Sequence, residues 1–158
     1  GNVQTRLGKI GAGEFEATFL ARAGLDRLGQ REIATQILSR EEFLPACAQG
    51  AIGITCRSDD ERTLNYLQAL DHAPTRHAVM CERAMLDALD GSCHTPIAGL
   101  AEIDGDQSRL RGLVARPDGS EVLHTDVRGP LADAEKLGYE AGSALKERTS
   151  PGFFDEVS

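Results

Sequence analysis

The stretch Asp90–Gly99, DGSCHTPIAG, is where one periodicity stops and another begins. Before it, Ala78, Cys81, Met85 and Leu89 recur at helical spacing on one face, which predicts a helix capped by Thr75 and ending near Leu89. Gly91 then takes the role usual for a glycine just past a helix end. After it, three alternating segments at about 97–103, 109–115 and 120–127 read as strands, with DGD (104–106) and PDG (117–119) as hairpin turns. PLADAEKLGYEAGSAL (130–145) reads as an amphipathic helix with Pro130 at its first position. Residues 74–148 thus predict a small α+β domain, a three-stranded antiparallel sheet with flanking helices.

Cys93 lies in the joint between the helix and the sheet. A cysteine there could form a disulfide, bind a metal, act as a nucleophile, fill a gap or anchor a cofactor. Most cysteines are small buried hydrophobes. Gly91, Ser92 and Pro96 instead put this one on a loop beyond a helix end, where a thiol is accessible and able to ionise.

Upstream the pattern is looser. Asn2 predicts a helix to about Ile10, and EFEATFLA (14–21) reads as a strand entering a core. AGLDRLG (23–29) is a short helix closed by Gly29, and a second helical piece covers about 31–38. LPACAQGAIGITCR (44–57) is apolar and broken by Gly50 and Gly53. It reads as a segment crossing a groove before becoming a strand that would bury Cys56, or as a plain connector between domains. Ser58 with Glu61 is a capping box for the helix DDERTLNYLQAL, and LDHAP (70–74) is a hinge. Residues 1–56 lack a second strand to pair with the first and do not make a domain by themselves.

The formal net charge of −8 is uneven, with +2 in residues 1–40 and −10 in residues 41–158. The acidic majority argues against nucleic acid as a partner, while the arginines of the first forty residues suit a small anion. No apolar run approaches the roughly 20 residues that span a bilayer, so no membrane role is expected. Cys47, Cys56, Cys81 and Cys93 contain no CxxC pair and the four histidines complete no zinc-ligand spacing, so no metal is expected. The cysteines read as reduced thiols.

Five stretches in order, GNVQTRL (1–7), LARAGLDRLG (20–29), LPACAQGAIGITCR (44–57), ERAMLDALDGSCHTPIAG (82–99) and LRGLVARPDGSEVL (110–123), resemble the porphobilinogen deaminase, or hydroxymethylbilane synthase, family. In that family the cysteine of the G-x-C-x-x-P-I loop carries a dipyrromethane cofactor through a thioether, and Cys93 stands at that position. The resemblance implies a transferase of tetrapyrrole (heme) biosynthesis. Four porphobilinogen units are joined head to tail, each losing ammonia to give an azafulvene that the terminal pyrrole attacks, and water releases the linear product. Every ring carries an acetate and a propionate. Arg6 and Arg27 match two carboxylate-binding arginines of the family, a task suited to a planar fork that stays charged. Gln49 and Gly50 resemble groove-crossing residues whose amide and backbone contact the cofactor. Ala21 matches a residue at the end of the apolar strand that lets the rings approach.

The resemblance further implies a multidomain α+β and α/β architecture. Residues 1–43 would be the C-terminal part of a periplasmic-binding-protein-like domain 2, and residues 44–69 the crossing segment and returning part of domain 1. Residues 70–73 would be a hinge and 74–158 the cofactor-bearing domain 3. The N-terminal half of the family, with its catalytic aspartate, is expected to lie upstream. No catalytic residue is assigned here, and the 158 residues alone are expected not to polymerise porphobilinogen. Expected partners are porphobilinogen, linear pyrrole intermediates and that N-terminal part, in a cytoplasmic enzyme, with organelle import left open, that is monomeric when complete. Ala48 departs from the family's usual glycine, and His94–Thr95 from a commoner Gln-Val pair. Two other readings stand beside this one. A binding module could hold a tetrapyrrole precursor without chemistry. A thiol enzyme could pair Cys93 with His94, although adjacent side chains usually point apart.

Overall fold

The computed structural model describes residues 2–91 and 95–155. It divides into two compact units, Gly1–Glu42 and Phe43–Ser158.

In the first unit, helix α1 (Val3–Gly11) starts where the Asn2 side chain accepts the Thr5 amide at 2.8 Å, as the sequence predicts. Helix α2 (Arg22–Arg27) follows, and a single 3₁₀ turn at Arg31–Ile33 replaces the helix expected over 31–38. Residues 14–21 do not form the expected strand. They run without a ladder because no strand of this unit pairs with them. Leu25 is the sole fully buried side chain among the unit's described residues, while Phe15, Phe19 and Ile37 are more than half exposed.

The second unit carries the regular structure. Helix α3 (Glu61–Gln68) is capped by Asp60, whose carboxylate accepts the Thr63 amide at 3.0 Å, so the cap lies two residues beyond the expected Ser58. Helix α4 (Ala73–Ala88) starts after His72 rather than at Thr75. Pro74 occupies its first turn, where a missing N–H costs nothing.

Strands β1 (Ile97–Asp104), β2 (Gln107–Ala115) and β3 (Val122–Pro130) form one antiparallel sheet in the order β1-β2-β3. The register sets Ile97 against Val114 and Leu110 against Val127. Gly105 and Gly119, at φ 59° and 72°, supply the left-handed residues of the two turns. Pro130 closes β3 instead of opening a helix. On an edge strand its missing N–H breaks no ladder. A 3₁₀ turn at Leu131–Asp133 then leads into helix α5 (Ala134–Arg148).

Helix α4 packs over β1, and α5 over β2 and β3. Cys81 and Met85 of α4, with Leu89 at its C-cap, meet Leu110 and Val114 of β2 and Leu145 of α5 in one core. Burying each large side chain there contributes roughly 1.5–3 kcal/mol. The opposite face of the sheet is charged: Arg109 grips Asp126 through two bonds of 2.9 and 2.6 Å, and Arg111 pairs with Glu102 at 2.9 Å. Among the described residues no helix is long and apolar enough to cross a membrane.

Candidate functional site

Helix α4 and strand β1 converge on the segment that contains Cys93, which itself lies outside the described residues together with Ser92 and His94. Its two shoulders are built firmly. At the helix end the Asp90 amide donates to the Asp87 carbonyl at 3.0 Å, and the Gly91 amide to the Leu86 carbonyl at 2.9 Å. This is a Schellman closure, with Asp90 in the left-handed region at φ 51°. The sequence reading assigned that role to Gly91. Gly91 stands in close quarters instead: a Cβ there would lie 2.5 Å from Leu86 Cδ1 and 2.6 Å from Ile97 Cδ1, two flexible side-chain ends that would have to shift. Asp90 is further held by an ion pair with Lys146 of α5.

On the other shoulder, the Ile97 amide donates to the Thr95 carbonyl at 2.8 Å and the Ala115 amide to the Pro96 carbonyl at 3.0 Å. A cavity of about 310 Å³ opens between these shoulders and the chain's last turns, lined by Leu89, Asp90, Thr95, Lys146, Phe153 and Phe154. Arg116 stacks on Phe153, 5.2 Å from the ring centre, and bonds Ser150 Oγ at 2.7 Å, which fixes that wall.

The crossing segment adopts turns at Cys47–Gly50 and then runs without pairing, so the strand expected after it does not form. Cys56 is half-buried rather than core. The Pro45 carbonyl accepts the Gly99 amide at 3.0 Å, seating the segment on the outer edge of β1. Cys47 packs there, its Sγ 2.9 Å from where a Cβ on Gly99 would lie. Gln49 and Gly50 are exposed beyond it, with Gly50 at φ 82°. Ala48 is also left-handed, at φ 61°, a conformation that costs a residue with a Cβ about 1–2 kcal/mol.

Sequence reasoning missed Glu82. It is 5 % exposed, and its carboxylate accepts the Ala48 amide at 2.6 Å and the Ala101 amide at 2.8 Å. Burial pushes its carboxyl above the usual range, opposed by those two amides. Burial, followed by the Glu82 charge, likewise pushes the Cys47 and Cys81 thiols up to about 11. An acidic residue beside the apolar positions of α4 was the available signal, but sequence gives no sign of what such a residue faces.

In the first unit, Ala21 is the N-cap of α2 and is exposed. Arg27 closes the same helix, and its exposed guanidinium has no ion-pair partner among the described residues, whereas Arg22 and Arg31 both reach Asp26. Arg6 lies on α1, exposed, with Nη1 3.4 Å from the Phe19 carbonyl. Among the described residues no group of three His, Cys, Asp or Glu side chains could hold a metal ion.

Residues 1–65 match the family profile described as porphobilinogen deaminase, dipyromethane cofactor binding domain, and residues 77–147 match porphobilinogen deaminase, C-terminal domain. The chain belongs to the porphobilinogen deaminase family. It is 53 % identical to a chloroplastic porphobilinogen deaminase of Oryza sativa subsp. japonica, over 99 % of this chain and 45 % of that protein. A chloroplastic porphobilinogen deaminase of Pisum sativum is 54 % identical over 98 % of this chain and 43 % of its own length. The porphobilinogen deaminase of Paracoccus denitrificans is 50 % identical over 98 % and 50 %. The chain thus spans about half the length of the curated relatives it matches.

A dipyrromethane is two pyrroles joined by a methylene bridge, with carboxylate arms, so attaching it through a thioether calls for a thiol, cations and a backbone it can approach. Taken singly, the residues suit such a group: Cys93 is a thiol by sequence, Arg6 and Arg27 of the first unit are exposed cations, and Gly50 of the second offers backbone without a side chain.

Proposed function

We propose that this chain is the cofactor-carrying part of a hydroxymethylbilane synthase, which condenses four porphobilinogen units with loss of ammonia. The observation that supports it most is the match of residues 1–65 and 77–147 to the family's cofactor-binding and C-terminal domains. In this reading Cys93 holds a dipyrromethane by a thioether. When bound, that group supplies the free pyrrole carbon from which the chain grows. Arg6 and Arg27 pair with ring carboxylates through forked, charge-assisted hydrogen bonds. The Gln49 amide and the Gly50 backbone contact the rings, and the small side chain of Ala21 leaves room for them. No aspartate of this chain is given the task of stabilising a cationic pyrrole.

The domain division belongs to the same proposal. Residues 1–43 complete a periplasmic-binding-protein-like domain, 44–69 return to a first domain, 70–73 hinge, and 74–158 form the cofactor-bearing domain. The exposed Phe15, Phe19 and Ile37 support the first assignment, because a unit with one buried side chain has apolar surface for further chain to cover. Ile52, at 91 % exposure, and the exposed Tyr66 support the second in the same way. Porphobilinogen and linear pyrroles are the ligands, in an aqueous compartment, and the complete enzyme is a monomer.

The test uses the full-length protein with porphobilinogen. The reading predicts a linear tetrapyrrole and one ammonia per substrate consumed, with KM raised at least tenfold in Arg27→Ala. Binding of porphobilinogen without ammonia release would favour the non-catalytic binding module instead.

A further inference from the structure

Beyond the residues given ligand roles above, one buried charge in the second unit ties two parts of the fold together. Glu82 stands on α4, and its two carboxylate oxygens serve different elements. Oε2 accepts the Ala48 amide of the crossing segment at 2.6 Å, and Oε1 accepts the Ala101 amide of β1 at 2.8 Å. Two outward-facing amides of β1 are therefore satisfied, Gly99 by the Pro45 carbonyl and Ala101 by Glu82. Among the described residues no strand covers this edge, so a carboxylate from a neighbouring helix takes the place of a ladder partner.

The loop end of the clamp is strained. Ala48 sits at φ 61° with a Cβ, and such a conformation persists only where the surroundings over-determine it. Strain of this kind concentrates at ligand-holding loops. The next two residues are Gln49 and Gly50. The strand end of the clamp belongs to β1, which begins at Ile97, just after the segment containing Cys93. A charge 5 % exposed is costly to bury unless its acceptor sites are used, and here they are used to fix this loop.

We infer that Glu82 is a positioning residue for pyrrole binding, holding Gln49–Gly50 in fixed register with β1. This rests on the reading of Gln49 and Gly50 as pyrrole contacts. Glu82→Gln keeps the shape but leaves one oxygen acceptor, so its NH₂ must face one of the two amides as a second donor. Hydrogen exchange measured by NMR on this chain should show the Ala48 amide at least tenfold faster in Glu82→Gln, with the Leu110 amide unchanged. In the full-length protein the same variant should raise KM for porphobilinogen about tenfold with kcat changed less than threefold, because binding geometry is altered and chemistry is not.

Equal acceleration at Ala48 and Leu110 would make Glu82 a general stabiliser and overturn the inference. Faster Ala48 exchange with unchanged KM would overturn it as well. If Glu82→Gln does not fold, the wild-type chain decides. A clamped Ala48 amide exchanges within tenfold of Ala101, and exchange at open-loop rates overturns the clamp. Gln49→Ala separates the two readings: unchanged KM there sinks the assignment of Gln49, while the exchange data still judge Glu82.

Discussion

Ala48 carries local strain that a single substitution could relieve. Its left-handed backbone at φ 61° costs about 1–2 kcal/mol, and glycine would remove that cost while adding about 0.5–1 kcal/mol of unfolded-state entropy. Ala48→Gly should therefore stabilise the chain by up to about 1.5 kcal/mol, read as a small rise in the urea midpoint at constant m-value. A loss of stability would contradict the strain. The thiols offer a second test at this scale. Cys47 and Cys81 are pushed up to about 11, first by burial, so at pH 8 about one molecule in a thousand carries either thiolate. By peptide mass mapping, iodoacetamide at that pH should label Cys56 at least tenfold faster than the buried Cys81 and than Cys47, which is half-buried like Cys56 but has its thiol pushed up. Comparable rates would contradict those raised thiols. Cys81 was legible as core because it shares a helical face with Ala78, Met85 and Leu89. Cys47 was not, because its burial comes from a loop seated against the edge of β1, a contact between residues some fifty positions apart. Separations of 34 and 19 positions, to Ala48 and Ala101, hid Glu82 in the same way.

At the scale of elements, the α4–α5 contact depends on two glycines. A Cβ on Gly142 would stand 2.5 Å from the Met85 carbonyl, and one on Gly138 would collide with the Cys81 carbonyl. Alanine is the better helix former by about 1 kcal/mol, yet Gly142→Ala should destabilise the chain by roughly 1–3 kcal/mol, because backbone cannot yield as a side chain can. A raised thermal midpoint for that variant would show that the helices are not in close contact. The period of α5 was readable from sequence, but the reason for its glycines was not, since it lies on the other helix. The three strands and both hairpin turns followed from alternation and turn chemistry, which are local. Pro130 was misread because a proline after a strand and a proline opening a helix look alike until the strand is known to be an edge. The strands expected at 14–21 and after 50 failed for one reason: an alternating pattern needs a partner to become a ladder, and neither segment has one within its own unit.

For the whole molecule, the balance of titrating carboxyls gives the pH dependence. Burial holds the Glu82 carboxyl above its usual 4.5, so the native state binds that proton more tightly than the unfolded chain does. Its contribution to stability falls as pH rises from 4.5 through the raised value, and stays lost above it. Asp60 and Asp126 run the other way. Hydrogen bonds from the Thr63 amide and the Arg109 side chain hold them below 3.8, so their contribution is present above 3.8 and lost as pH falls through the lowered values. The thermal midpoint should be higher near pH 5 than near pH 8 and should drop below about pH 4, with the upper slope missing in Glu82→Gln. An upper slope retained in that variant would assign it to another group. The family was legible from five ordered stretches, each local in sequence, although the chain spans only about half the length of its relatives. The most direct test of the central claim is the intact mass of the purified full-length protein, followed by mapping of the peptide that contains Cys93. The account predicts a covalent increment of two linked pyrroles on that peptide, absent in Cys93→Ser. An active protein whose Cys93 is unmodified would contradict it.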